Sequence, residues 1–112
     1  MNSEFDVHAI ERKRAFRFNQ SGFMQEPMRW DEEVALKVAH EDGLKLSGYH
    51  WAVIEAYRWS YYQTGEIPKQ KLVCVINGLK GNGVRKLFKS KSKSKADKEV
   101  CRVAGVPDPY NH

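Results

Sequence analysis

Apolar and polar positions change period several times along the chain, and each change predicts an element. In AFRFNQSGFMQEP, Phe16 and Phe18 alternate with polar residues, and Phe23 follows a Gln20-Ser21-Gly22 turn. That alternation predicts a short, half-buried β-hairpin, which must pack on something to persist. WDEEVALKVAHEDG then opens with Asp31 as a cap. It continues with Val34, Ala35, Leu36 and Val38 facing inward, and it stops at Gly43. After the Leu44-Lys45-Leu46 link, Ser47 starts a longer helix, SGYHWAVIEAYRWSYYQTG, closing near Gly65. Trp51, Ile54, Arg58 and Tyr61 lie three or four apart in it, with Tyr57 and Tyr62 beside them.

Pro68 is suited to start a third helix, where its missing N–H costs nothing. On a 3.6-residue wheel Leu72, Val75, Ile76 and Leu79 share one face, which puts Cys74 roughly opposite. GLKGNG reads as a loop and VRKLF as a short segment. The run KSKSKSK has no core-facing stripe and is expected to be a solvated loop. A last helix is expected from Asp97 to Ala104, with Gly105 as its stop, and Pro107 and Pro109 hold an extended arm clear of the bundle. The predicted fold class is mainly α (α+β), a small helical bundle with an N-terminal β-hairpin and an extended C-terminal arm. Its expected organisation is a loose tail over 1–13, a helical domain over 14–105 and the arm over 106–112.

Composition narrows the picture. With 112 residues, 41% hydrophobic, the chain suits one domain with one modest core. No apolar run approaches the ~20 residues a bilayer span needs, and the first residues lack a signal-peptide order. A cytoplasmic protein with no membrane partner is expected. Two cysteines, Cys74 and Cys101, are too few for a disulfide scaffold, and the four histidines (8, 40, 50 and 112) are scattered. No metal site and no cofactor are expected.

Charge is uneven. Between Lys80 and Arg102 nine Lys/Arg face two acids, a local +7 in a chain whose net charge is +5. Arg85, Lys86, Lys89, Lys91, Lys93, Lys95 and Arg102 are therefore candidate anion-binding residues, with nucleic acid a conceivable partner. A helix-turn-helix reading would present Lys69, Gln70, Lys71 and Asn77 to a groove.

The thiols carry the remaining chemistry. Cys101 can act as a nucleophile only as a thiolate. Lys95, Lys98 and Arg102 would favour that form, while the helix C-terminus opposes it. The alternative is that Cys101 only packs. Cys74, between Leu72-Val73 and Val75-Ile76, reads as an inert buried thiol.

The stretches FNQSGFM, RWDEEVALKVAHEDGLKLSGYHW, the YY and IP of YYQTGEIPKQKL, and above all CRVAGVPDP, carry a family likeness. The chain resembles the DsrC/TusE/DsvC family of sulfur-relay proteins, also known as the gamma subunit of dissimilatory sulfite reductase, over roughly residues 18–112. The resemblance implies a mostly helical fold and a flexible arm that inserts into partner proteins. It also implies sulfur carriage on a penultimate arm cysteine, with a second cysteine on the last helix in some members. Cys101 falls on the helix position. Eleven residues on, His112 stands where the arm cysteine is expected, and imidazole cannot store sulfane sulfur.

The resulting expectation is a sulfur-relay protein whose arm docks into a sulfurtransferase or sulfite-reductase-like partner. Pro107, Pro109, Tyr110 and His112 would position the arm, and Cys101 would be the sulfur-bearing, catalytic thiol. At most this is a sulfurtransferase-type carrier, since no stand-alone catalytic constellation is visible. The alternative is a degenerate family paralogue, a regulator binding nucleic acid or an acidic protein through its Lys-rich region.

Overall fold

The computed structural model describes residues 18–20 and 22–110, so the expected tail, Phe16, Ser21 and His112 lie outside the described residues. A 3₁₀ turn, Pro27–Arg29, leads into five helices: α1 Glu32–Glu41, α2 Gly48–Thr64, α3 Gln70–Ile76, α4 Gly83–Leu87 and α5 Lys93–Ala104. Helix α5 is central, packing most extensively on α2 and next on α1. Among the described residues, no helix is long and apolar enough to cross a membrane.

The caps follow from local chemistry. Asp31 Oδ1 accepts the Val34 N–H at 3.2 Å, and Glu32 and Glu33 favour the positive end of α1. Ser47 and His50 form a reciprocal capping box at the start of α2. Here His50 replaces the usual acid: its Nδ1 accepts the Ser47 N–H at 3.0 Å. Its other ring nitrogen meets the Leu87 carbonyl at 2.7 Å, so one side chain both caps α2 and holds α4.

Val34, Ala35, Val38 and Ala39 of α1 meet Val53, Ile54 and Tyr57 of α2 and Val100, Val103 and Ala104 of α5 in one core. Leu36, expected inward, is exposed because it falls off the stripe set by 34, 35, 38 and 39.

Four further expectations are corrected. In place of a β-hairpin, the described residues hold one antiparallel bridge, Phe18 to Met24. Around it, Asn19 N–H donates to Phe23 O at 2.8 Å, and Asn19 Oδ1 accepts from Phe23 N–H; Phe16, the other predicted strand position, lies outside the described residues. Phe23 and Met24 are fully buried rather than half-buried.

The lysine run is partly helical. Ser92 Oγ accepts the Lys95 N–H at 3.2 Å and starts α5 four residues earlier than expected. Helix α3 starts at Gln70, beyond Pro68, and is rotated from its predicted setting. Gln70, Val73 and Cys74 are buried, while Leu72, Val75 and Ile76 are exposed. The arm, finally, is not held clear of the bundle. Val106 is buried, and Asp108 Oδ1 accepts the Tyr110 N–H at 3.0 Å in a turn that brings Tyr110 back to α5.

The C-terminus of α5 is fastened on all sides. Gly105 adopts φ +67°, and Val106 N–H returns to Cys101 O at 2.9 Å in a Schellman closure. Trp30 Nε1 donates to Val103 O at 2.9 Å, and Arg58 donates to Ala104 O at 2.7 Å while stacking 4.0 Å above the Trp30 ring. A Cβ on Gly105 would strike the Trp30 side chain, whereas one on Gly43, at φ +74°, would meet nothing.

Gly43→Ala is therefore expected to cost about 1 kcal/mol for the left-handed backbone alone. Gly105→Ala adds an overpacking cost, to a total of about 2 kcal/mol or more. Thermal unfolding followed by circular dichroism should show the second variant melting clearly below the first. Equal melting temperatures would contradict the Trp30 clamp.

Candidate functional site

Asp97 lies on the inward stripe of α5, one turn before Cys101, and is 5% exposed. Its Oδ1 accepts the Tyr57 hydroxyl from α2 at 2.7 Å and the Gln70 amide from α3 at 2.8 Å. Its Oδ2 accepts the Tyr110 hydroxyl from the arm at 2.6 Å. Gln70 also donates to Lys93 O at 2.8 Å, closing α3 onto the first turn of α5. One carboxyl thus joins two helices and the arm to the helix that bears Cys101. Hydrogen bonding to Asp97 and partial burial push the Tyr110 phenol up to about 12, so it remains a proton donor across the neutral range. Burial and the same partner raise Tyr57 as well.

Cys101 is fully buried beside this network. Burial pushes its thiol up, and the charges of Asp97 and Asp108 add to the rise. The cations expected to activate it are engaged elsewhere or point away. Arg102 binds Asp42 through Nε at 2.8 Å and Nη2 at 3.1 Å, and donates to Gly22 O at 2.7 Å. Lys98 Nζ lies 5.9 Å from the centre of the Tyr110 ring, and both Lys98 and Lys95 are exposed. In this setting the residue is a buried, protonated thiol. Cys74 is likewise free and buried, its Sγ 3.9 Å from Gly81 O.

The candidate anion-binding residues divide. Arg85, Lys86, Lys89 and Lys91 surround one shallow concavity. Lys95 and Arg102 lie on a neighbouring one that shares Lys89 and Lys91 with the first and also contains Glu99 and Asp108, and Lys93 lines neither. Among the proposed groove-reading residues Gln70 is buried and spent on Asp97, so that reading of α3 has no structural support. Pro107 and Pro109 of the arm flank a groove against Tyr61, Gly65 and Ile67 at the end of α2.

Sequence reading names Asp97 only as a helix start, Gln70 as a groove reader and Arg58 as a stripe position, assigns Trp30 nothing, and expects none of the contacts they make here. The available signal for Asp97 was its spacing: positions 97, 100, 101 and 104 form an inward stripe, and an acid on such a stripe needs donors.

A second acidic contact couples α5 to the end of α1. Burial and a shared proton with Asp42 push Glu99 up to about 8. Burial would raise Asp42 too, but hydrogen bonds from Arg102 and Glu99 outweigh it and hold Asp42 low. The two titrate as a pair. Between the ordinary carboxyl range and pH 8 the folded chain keeps a proton on Glu99 that the unfolded chain has lost. Its stability therefore falls as pH rises through that window. In Glu99→Gln, whose amide keeps a donor toward Asp42, that slope should vanish. Melting temperatures of variant and wild type are expected to diverge from pH 5 to pH 8 in the variant's favour. Parallel curves would contradict the shared proton.

Residues 11–111 match the family model described as DsrC-like protein. Curated relatives include sulfurtransferase TusE from Escherichia coli strain K12, 30% identical over 93 residues that cover 79% of this chain and 84% of that protein. TusE from Salmonella typhimurium strain LT2 is 29% identical over 96 residues, covering 81% and 86%. Among solved structures, the oxidised gamma subunit of dissimilatory sulfite reductase (DsrC) from Archaeoglobus fulgidus superposes with a TM-score of 0.72 at 27% identity, covering 87% of this chain and 91% of that one. DsrC from Allochromatium vinosum gives 0.70 at 25% identity, covering 87% and 89%. With its fold and nearly its whole length matched, the chain belongs to the DsrC-like family.

Proposed function

We propose that this chain is a sulfur-relay protein whose C-terminal arm docks into a sulfurtransferase or sulfite-reductase-type partner, and that Cys101 carries the sulfur. Residues 14–105 serve as the body and residues 106–112 as the part that visits the partner, with Pro107, Pro109, Tyr110 and His112 guiding it. The observation that carries the reading is the placement of the arm over the CRVAG turn. Asp108 and Tyr110 lie near enough to Cys101 to act on it electrostatically, and on this reading drawing the arm away also opens a path to the thiol. The names of the TusE relatives and the fold shared with DsrC support the same reading.

The chemistry required is modest. Once exposed to water, Cys101 loses the burial that holds its proton and can ionise nearer the ordinary thiol range. Its thiolate attacks the outer sulfur of a donor persulfide. A new S–S bond forms on Cys101, the donor's S–S bond breaks, and the donor departs as a thiolate. No external oxidant is needed.

The test is intact-mass measurement after incubation with a protein persulfide donor. A reducible gain of about 32 Da per sulfur is expected in wild type and in Cys74→Ser, and no gain in Cys101→Ser. A gain that survives in Cys101→Ser, or none in wild type under conditions that load TusE, would remove Cys101 as carrier. In the second case the full burial of Cys101 favours an arm that occupies the partner's cleft without carrying sulfur.

A further inference from the structure

A groove of about 470 Å³ opens between the α1–α2 link and α4, and neither Cys101 nor any arm residue lines it. Its floor is apolar, made by Leu44, Leu79 and Leu87. Leu79 can press against Gly83 only because that glycine lacks a side chain, since a Cβ there would sit 2.8 Å from Leu79 Cβ. The rim carries Lys45, Lys80, Lys86 and Lys89, all exposed, and no Asp or Glu lines the groove among the described residues. His50 also reaches it, but both ring nitrogens are taken by Ser47 and Leu87.

Lys89 is held there against its backbone preference. It has φ +50°, left-handed without being glycine, directly after α4 where Gly or Asn is usual. Its Nζ donates to Gly43 O at 3.1 Å, which pins the ammonium at the groove's lip with donors to spare. Strain kept at a surface position, together with a cation fixed over an apolar floor, marks a binding surface.

We infer that this groove docks an acidic protein segment that inserts one or two apolar side chains. The charge of the rim selects glutamates and aspartates. The leucine floor selects an aliphatic or aromatic anchor, which a phosphate backbone does not supply. This surface is independent of Cys101 and of sulfur carriage, so it adds a second contact region to whatever the arm engages.

The experiment uses the full chain, ¹⁵N-labelled, and an acetylated ten-residue peptide in which glutamates flank a leucine–phenylalanine pair. One control peptide replaces every glutamate by glutamine, and another replaces the apolar pair by serines. Saturable binding of the first peptide is expected, with amide shifts at Leu44, Leu79 and Leu87 and affinity at least about tenfold above either control. The Lys80→Glu, Lys86→Glu double variant, altered only at exposed positions, should lose at least about tenfold with an unchanged melting temperature. Equal binding of the serine control would reduce the groove to a diffuse charge effect and overturn the proposal. So would shifts confined to other faces, no binding of any peptide, or a twelve-base-pair duplex DNA shifting the same amides at lower concentration than the peptide.

Discussion

The Asp97 carboxyl is the interaction on which the arrangement around Cys101 depends. A buried carboxyl without donors would be costly, and this one takes hydroxyl or amide donors from α2, α3 and the arm. Meeting that demand fixes the rotation of α3, because Gln70 must point inward. It also seats Tyr57 in the core and gives the arm a place to latch. The cost is visible on the other side of α3, where Leu72, Val75 and Ile76 are turned to solvent. Gln70, Val73 and Cys74 take the inward face of this seven-residue helix in their place.

The ending CRVAGVPDP acquires a physical meaning residue by residue. Arg102 ties α5 to Asp42 and to Gly22. The Val103 and Ala104 carbonyls are taken by Trp30 and Arg58, and Gly105 supplies the left-handed turn beneath the Trp30 ring. The root of the arm is thus rigid, and motion can begin only beyond Val106. A rigid root and a latched tip are what an arm needs if it is to present the same segment each time it opens. The tip is held by the Tyr110 hydroxyl on Asp97, a contact that water at a partner surface can replace at little cost.

Much of this was legible in the chain. Asp31, Ser47, Gly65 and Gly105 marked helix ends correctly because caps act within four residues. The failures share a cause. Periodicity placed Leu72, Val75 and Ile76 inside because it weighs apolar positions only along one helix, while Gln70 answers to a residue 27 positions away. The lysine run read as a loop because the Ser92 cap was masked by its repeat. The prolines promised an extended arm, but the Asp108 turn and the Asp97 acceptor bring it home. The setting of Cys101 was not legible: helix neighbours in sequence suggested cations, and folding sent Arg102 to Asp42 instead.

The account's central claim is that the arm, through Tyr110, controls access to Cys101. The most direct measurement is the rate at which a disulfide reagent modifies Cys101 in a Cys74→Ser background, with Tyr110 intact or changed to Phe. Loss of one net hydrogen bond, about 1 kcal/mol, should raise the open population about fivefold. The account predicts a matching rise in rate that persists in denaturant far below the unfolding transition, with the melting temperature lowered by only a few degrees. Equal rates in the two proteins, or rates that follow only global unfolding, would contradict it.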